Sequence, residues 1–174
     1  YIGCCTLEQH VGTLAKNTPS YDFYLNKGGK WTKTRGTIPD GLRYADWDVV
    51  TLQQASGLSG VEASYEPHLT TLIETVKTSC PDAKLVWHMT WAYQGNSSHS
   101  DFAKYGRSQK TMYDSILSAV RKAVLTGHKD DFAGVIPSGT AIQNIRTCYI
   151  GDTVTRDGYH LSYDMGRYTA ALKI

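Results

Sequence analysis

Apolar residues recur along this chain in two alternating rhythms. At helical spacing, Leu7, Val11 and Leu14 predict a helix over residues 7–16. Leu69, Leu72, Ile73 and Val76 predict a second over 65–79, and Met112, Ile116, Val120 and Val124 a third over about 108–125. Between them lie short unbroken apolar runs. Asp48-Val49-Val50-Thr51-Leu52-Gln53-Gln54 and Lys84-Leu85-Val86-Trp87-His88-Met89-Thr90-Trp91 read as strands buried on both faces, and Ala133-Gly134-Val135-Ile136-Pro137 as a shorter strand. Tyr1-Ile2-Gly3 reads as the end of another. Short helices are predicted over 39–44 with Thr37 as cap, over 140–146, and from about Tyr163 with Ser162 as cap. Two β-prone runs around Gly28-Gly29 predict a hairpin over about 21–34, an exposed excursion from the main sheet.

Strands alternating with helices make the fold class α/β, a three-layer α/β/α sandwich on a parallel sheet, with residues 1–174 as one domain. In such sheets ligands bind beyond the carboxyl ends of the strands. Residues 3–5, 53–56, 90–93 and 138–139 fall there and are polar or aromatic where the strand bodies are not. A net charge of +2 and no basic stripe argue against nucleic acid or acidic lipid as a partner. No run of eighteen apolar residues is present to span a membrane. Twelve Tyr and four Trp suit a core rim or a sugar-stacking surface. The four cysteines form no metal-binding spacing, and no metal or organic cofactor is expected. Spacing does not establish a Cys80–Cys148 disulfide; buried free thiols are the expectation for both.

The run richest in chemistry is Asp157-Gly158-Tyr159-His160-Leu161-Ser162, on a loop before the last helix. An aspartate three residues before a histidine can accept its Nδ1–H, fix the tautomer and stabilise the imidazolium formed on proton uptake. That is two thirds of a Ser-His-Asp triad. The same spacing also occurs in surface pairs that tidy a helix entrance. No serine stands in a convincing nucleophile turn: Ser56, Ser138 and Ser162 are weak candidates. Cys4 or Cys5 is a sharper one, because the helix beginning at Leu7 would lower a thiol pKa.

With the strand ends and this loop, the chain resembles the SGNH hydrolases, the GDSL esterase/lipase superfamily, and within it a bacterial branch. The resemblance rests on Tyr1-Ile2-Gly3-Cys4-Cys5-Thr6-Leu7-Glu8-Gln9-His10, Trp47-Asp48-Val49-Val50-Thr51-Leu52-Gln53-Gln54-Ala55-Ser56, His88-Met89-Thr90-Trp91-Ala92-Tyr93-Gln94, Val135-Ile136-Pro137-Ser138-Gly139-Thr140-Ala141-Ile142-Gln143 and the Asp157–His160 loop. It implies a flavodoxin-like sheet and a serine in a glycine-rich turn after the first strand, N-terminal to the block holding Gly3. The expectation is a chain truncated at both ends, lacking that strand and unstable or aggregated when expressed alone. The family's oxyanion asparagine is replaced by Gln53 or Gln54, with Gln54 preferred because it lies farther beyond the strand. A glycine pair of the family is replaced by Gly3-Cys4, whose N–H groups remain donors.

The resemblance thus implies a serine-type ester hydrolase acting on a small-molecule or carbohydrate ester. His160 would be base and acid, Asp157 its orienter, and Gly3, Cys4 and Gln53 or Gln54 the oxyanion donors. Trp91 and Tyr93 would line the substrate cleft, or else pack its rim. Gln53 and Gln54 could equally satisfy buried backbone groups. Gln143 and Arg146 read as surface or loop-bracing residues, and His10, His68, His88 and His99 as structural. The rival is a non-catalytic carbohydrate-binding or scaffold protein on the same fold. Oligomeric state and compartment stay open, a secreted or periplasmic location included.

Overall fold

The structure, a computed structural model, describes residues 2–173. Helix α1 (Leu7–Lys16) begins at the expected residue because Thr6 and Gln9 form a reciprocal capping box. Strands β1 (Tyr21–Lys27) and β2 (Lys30–Gly36) make the hairpin, a two-stranded sheet of its own closed by Gly28-Gly29. It is anchored at its base, where Tyr21 is buried. Helix α2 (Ile38–Leu42) follows, capped by Thr37 through a second box with Asp40.

The main sheet is β3 (Val49–Leu52), β4 (Lys84–His88) and β5 (Phe132–Ile136), parallel and in that spatial order. Helix α3 (His68–Ser79) links β3 to β4, and α4 (Gln109–Ala119) links β4 to β5. Proline at 67 disfavours α geometry at Glu66, so α3 starts at His68 rather than at 65. Helix α4, capped by Ser108, runs on as a π-helix over Val120–Thr126, which keeps Val120 and Val124 buried. Register sets Val50 opposite Leu85 and Leu52 opposite Trp87, and alternate residues share a face. Apolar residues of α1, α3 and α4 cover that face, with Leu7, Leu69, Ile73, Met112 and Ile116 in one core with Leu85 and Trp87. Trp87 packs against Tyr65 and edge-on against Phe132. Helices α5 (Ser138–Ile145) and α6 (Met165–Ala171) pair beside it around a second small core of Ile142, Val154 and Leu161. The α/β class and the helix-flanked parallel sheet are therefore as expected.

Several sequence expectations are corrected. Strand β3 is not buried on both faces: it is an edge strand, and Val49 and Thr51 are exposed. Beside it an apolar cleft of about 290 Å³ opens between α1, α2 and α3, lined by Leu7, Leu42, Val50, Leu52, Leu72 and Val76. Gly3 and Cys4 form a turn, Ile2 is in no strand, and Tyr1 lies outside the described residues. Strand β4 stops at His88, short of Trp91. Asp164, not Ser162, caps α6; Ser162 supports it by donating to Asp164 Oδ1 and accepting the Gly166 N–H. Cys80 is buried and free as expected, but Cys148 is exposed. Among the described residues no helix is long and apolar enough to cross a membrane.

Candidate active site

The loop that closes the chain's last hairpin carries the Asp-His pair. Asp157 Oδ1 accepts the backbone N–H of Tyr159 (3.2 Å) and of His160 (2.7 Å), a local turn that aspartate favours. Its other oxygen, Oδ2, lies 2.7 Å from His160 Nδ1. A carboxylate can only accept, so Nδ1 carries the proton and Nε2 holds the lone pair. Nε2 has no partner among the described residues, and the side chain is 49% exposed. Partial burial pushes the Asp157 carboxyl up, but the hydrogen bonds from the His160 ring and the two N–H groups outweigh it, bringing the pKa to about 2.

The loop is docked on the segment that leaves β4. Trp91 Nε1 donates to the Tyr159 carbonyl at 2.7 Å, and Gln94 N–H to the Gly158 carbonyl at 2.8 Å. Gly158 has φ +90°, and a Cβ there would meet Ser97 Oγ at 3.0 Å, so only glycine fits. The segment is braced from behind by a buried cation. Arg146 donates to the Ala92 carbonyl at 3.1 Å, and its Nε lies 2.8 Å from Asp152. Asp152 also accepts the Gly95 N–H and the Gln109 amide. Arg146 is thus loop-bracing, one of the two readings its sequence position allowed.

The strand ends supply a second cluster. His88 Nδ1 lies 2.9 Å from Gln53 Oε1, and its Nε2 lies 3.0 Å from Ser138 Oγ. With the Gln53 oxygen facing it, Nδ1 carries the proton and Nε2 accepts from the serine. Burial lowers the His88 pKa, which keeps the ring neutral. Gln53 is exposed, and its Nε2 has no partner among the described residues.

The preference for Gln54 as oxyanion donor is corrected. Gln54 is fully buried, its Nε2 donates to Ser64 (3.0 and 3.1 Å), and its Oε1 accepts from the Leu7 and Ala55 N–H groups. Its donors are consumed inside the fold. Tyr93 is also fully buried and cannot line a cleft as it stands. Its hydroxyl lies 2.9 Å from Ser56 Oγ, and burial pushes its pKa up to about 12. Trp91 spends its indole N–H on the Asp157–His160 loop and packs against the second core. Gly3 and Cys4 sit in the turn before α1, and Cys4 adopts φ +55°, a left-handed conformation that glycine takes most easily, at the position where the family resemblance expects a glycine. The neighbouring Cys5 thiol lies 3.5 Å from His10 Nδ1, which in turn lies 2.8 Å from the Tyr21 hydroxyl. Burial raises the Cys5 pKa, contrary to the activation expected from a helix N-terminus. Among the described residues no group of three His, Cys, Asp or Glu is placed to hold a metal.

Two features of the site escape sequence reading. The Gln53–His88–Ser138 relay joins residues from three segments, and its signal in the sequence is that all three lie at or just beyond strand ends. The buried Arg146–Asp152 pair links residues six apart around a helix end, with no periodicity to mark it.

A parallel sheet with an Asp-oriented histidine on a loop beyond its strand ends defines an α/β protein of the kind that hosts sites at the sheet's carboxyl edge. The chain belongs to the DUF4886 family, described as a domain of unknown function, whose model matches residues 1–174. A DUF4886 family protein of Bacteroides uniformis ATCC 8492, solved by crystallography, is 44% identical and superposes with a TM-score of 0.92 over 99% of this chain and 67% of that one. A protein from Parabacteroides merdae ATCC 43184, described as a GDSL-like lipase, is 12% identical, with a TM-score of 0.49 over 72% of this chain and 58% of its own. No functionally curated protein matches the chain.

Proposed function

We propose that the domain is the base-bearing part of a serine-type ester hydrolase of the SGNH kind, working on small-molecule or carbohydrate esters. One observation carries the reading: His160 is held by Asp157 at 2.7 Å through Nδ1 while Nε2 stays unpartnered among the described residues and half-exposed. This is the state a general base needs before its nucleophile arrives. No serine or cysteine hydrogen-bonds to Nε2 among the described residues, so the nucleophile is assigned to residues outside them.

In this reading the serine Oγ attacks the ester carbonyl carbon as its proton passes to His160 Nε2. The imidazolium, stabilised by Asp157, then gives that proton to the alcohol oxygen as the C–O bond breaks, and water repeats the cycle on the acyl-enzyme. Gln53 Nε2, without a partner among the described residues while His88 holds the oxygen, and the Gly3 and Cys4 N–H groups are the oxyanion donors in this reading. Such a donor contributes roughly 10²–10³ in kcat.

The test uses the complete encoded protein and p-nitrophenyl acetate. We expect turnover that falls by about 10³-fold or more in His160→Ala, and none from residues 1–174 alone. Near-normal turnover in the variant ends the assignment. Turnover by residues 1–174 that depends on His160 would place the nucleophile within them, with Cys4 examined first. A complete protein that binds carbohydrate without hydrolysing any ester would favour the binding-module rival.

A further inference from the structure

Beside the Asp157–His160 loop, two cations crowd one exposed ring. The guanidinium carbon of Arg156 lies 4.9 Å from the Tyr163 ring centroid, and that of Arg167 lies 4.4 Å from it. Tyr163 is 73% exposed, so the arrangement is not a core contact. Each guanidinium is drawn to the ring's π face. Stacking orients the planar fork and leaves its N–H edge, whole in Arg167 and in part in Arg156, available to an anion.

The nearby carboxylates offset only part of the pair's charge. Asp164 Oδ1 accepts from Ser162 and from the first N–H of α6, and no ion pair joins Asp164 to Arg156 or Arg167 among the described residues. Asp157 is held by His160 and lies 3.9 Å from Arg156 Nε, at the limit of an ion pair. Arg167 has no ion-pair partner among the described residues. Two like charges on one ring repel each other, and an anion bound between their N–H edges would relieve that repulsion as well as satisfy the donors.

The position ties this cluster to the catalytic loop. Arg156 N–H donates to the His160 carbonyl at 2.9 Å, next to the isolated bridge between Thr155 and Leu161, so the two residues adjoin in one turn. Arg156 Nη1 is fixed on the Leu161 carbonyl at 3.1 Å. An anion bound there would be held by the turn that also carries His160.

We propose that Arg156, Tyr163 and Arg167 form a subsite for an anionic group, a carboxylate or sulfate, on the ester substrate, so that the preferred substrate is an acylated acidic sugar. This rests on the hydrolase reading for its substrate but not for its binding. The complete encoded protein is titrated with glucuronate, inorganic sulfate and, as the neutral control, glucose, while NMR follows the Tyr163 ring and the Arg156 and Arg167 Nε–H signals. The expected result is saturable binding of the anions, glucose inert, and affinity at least tenfold weaker in Arg156→Gln/Arg167→Gln. Sulfate binding with glucuronate inert would restrict the class to sulfated sugars. Equal response in the double variant, or no response to either anion, overturns the subsite. In the complete protein, the double variant should lose at least tenfold more in kcat/KM on an acetylated glucuronate than on acetylated glucose. Anion binding without hydrolysis of either ester would retire the hydrolase reading and leave the subsite standing.

Discussion

Asp157 and His128 are both bound to ionisable partners, and their titrations run in opposite directions. The folded Asp157 pKa of about 2 lies below the ordinary carboxylate value of about 3.9. Its contribution to stability is therefore present above about pH 3.9 and lost as pH falls through 2. Carboxyl NMR should find its midpoint near 2 in the wild type and shifted upward in His160→Ala; an unmoved midpoint would show that the ring does not hold it. His128 sits between two carboxylates, with Nδ1 at 2.7 Å from Asp131 and Nε2 at 2.7 Å from Glu66. Burial would lower its pKa, but the hydrogen bonds the ring donates to Asp131 and Glu66 outweigh it and raise the value. Stability from this clasp is complete below the unfolded value of about 6.5 and is lost as pH rises through the higher folded value. The melting temperature gap between wild type and His128→Asn should accordingly be wider at pH 6 than at pH 9. Sequence pattern gave no hint of the clasp, because Glu66 and His128 lie 62 residues apart and meet only when α3 and the end of the π-helix pack together.

At the level of elements, the site depends on the irregular segment after β4 more than on any strand. Arg146 is almost wholly buried while Asp152 is 35% exposed, so removing the cation leaves a half-buried carboxylate without its partner. We expect Arg146→Ala to cost about 3 kcal/mol in denaturant unfolding. Arg146→Leu combined with Asp152→Leu should recover part of that loss, since the second change removes the orphaned charge. A tighter constraint sits where α5 begins. A Cβ on Gly139 would lie 2.0 Å from the Thr90 carbonyl oxygen, and the Gly139 N–H already bonds the Met89 carbonyl at 3.1 Å. Gly139→Ala should therefore destabilise by roughly 1–3 kcal/mol and disturb NMR signals at 89–95. A neutral result would mean that α5 can slide. Helices α1, α3 and α4 were legible in sequence because each carries an amphipathic stripe and, for α1 and α4, a hydroxyl cap. The segment after β4 was not, because Trp87 to Trp91 continues the apolar run while its hydrogen bonds turn from strand neighbours to Gly139 and the His160 loop.

For the whole molecule, the open side of β3 decides behaviour. Its outer edge has no strand neighbour among the described residues, Val49 is 49% exposed, and the apolar cleft lies alongside. Unpaired edges of this kind promote association. Residues 1–174 should self-associate with rising concentration in sedimentation, and Thr51→Lys should reduce this without lowering the melting temperature. Backbone amides at 49–52 should exchange faster than those of β4, which is paired on both sides. A monomer with slow exchange at 49–52 would show that the edge is closed by rearrangement. Fold class and the Asp-His pair were readable from sequence because strand-helix alternation and a three-residue spacing are local. Which glutamine keeps its amide free was not, since Ser64 and His88 reach Gln54 and Gln53 only through tertiary packing. The bond from Trp91 to the Tyr159 carbonyl also turns the site into its own optical gauge. With Trp31 and Trp47 replaced by phenylalanine and Trp87 sealed in the core, a change in indole emission on loop release would come from Trp91, so opening of the loop could be timed by stopped-flow fluorescence without any attached dye.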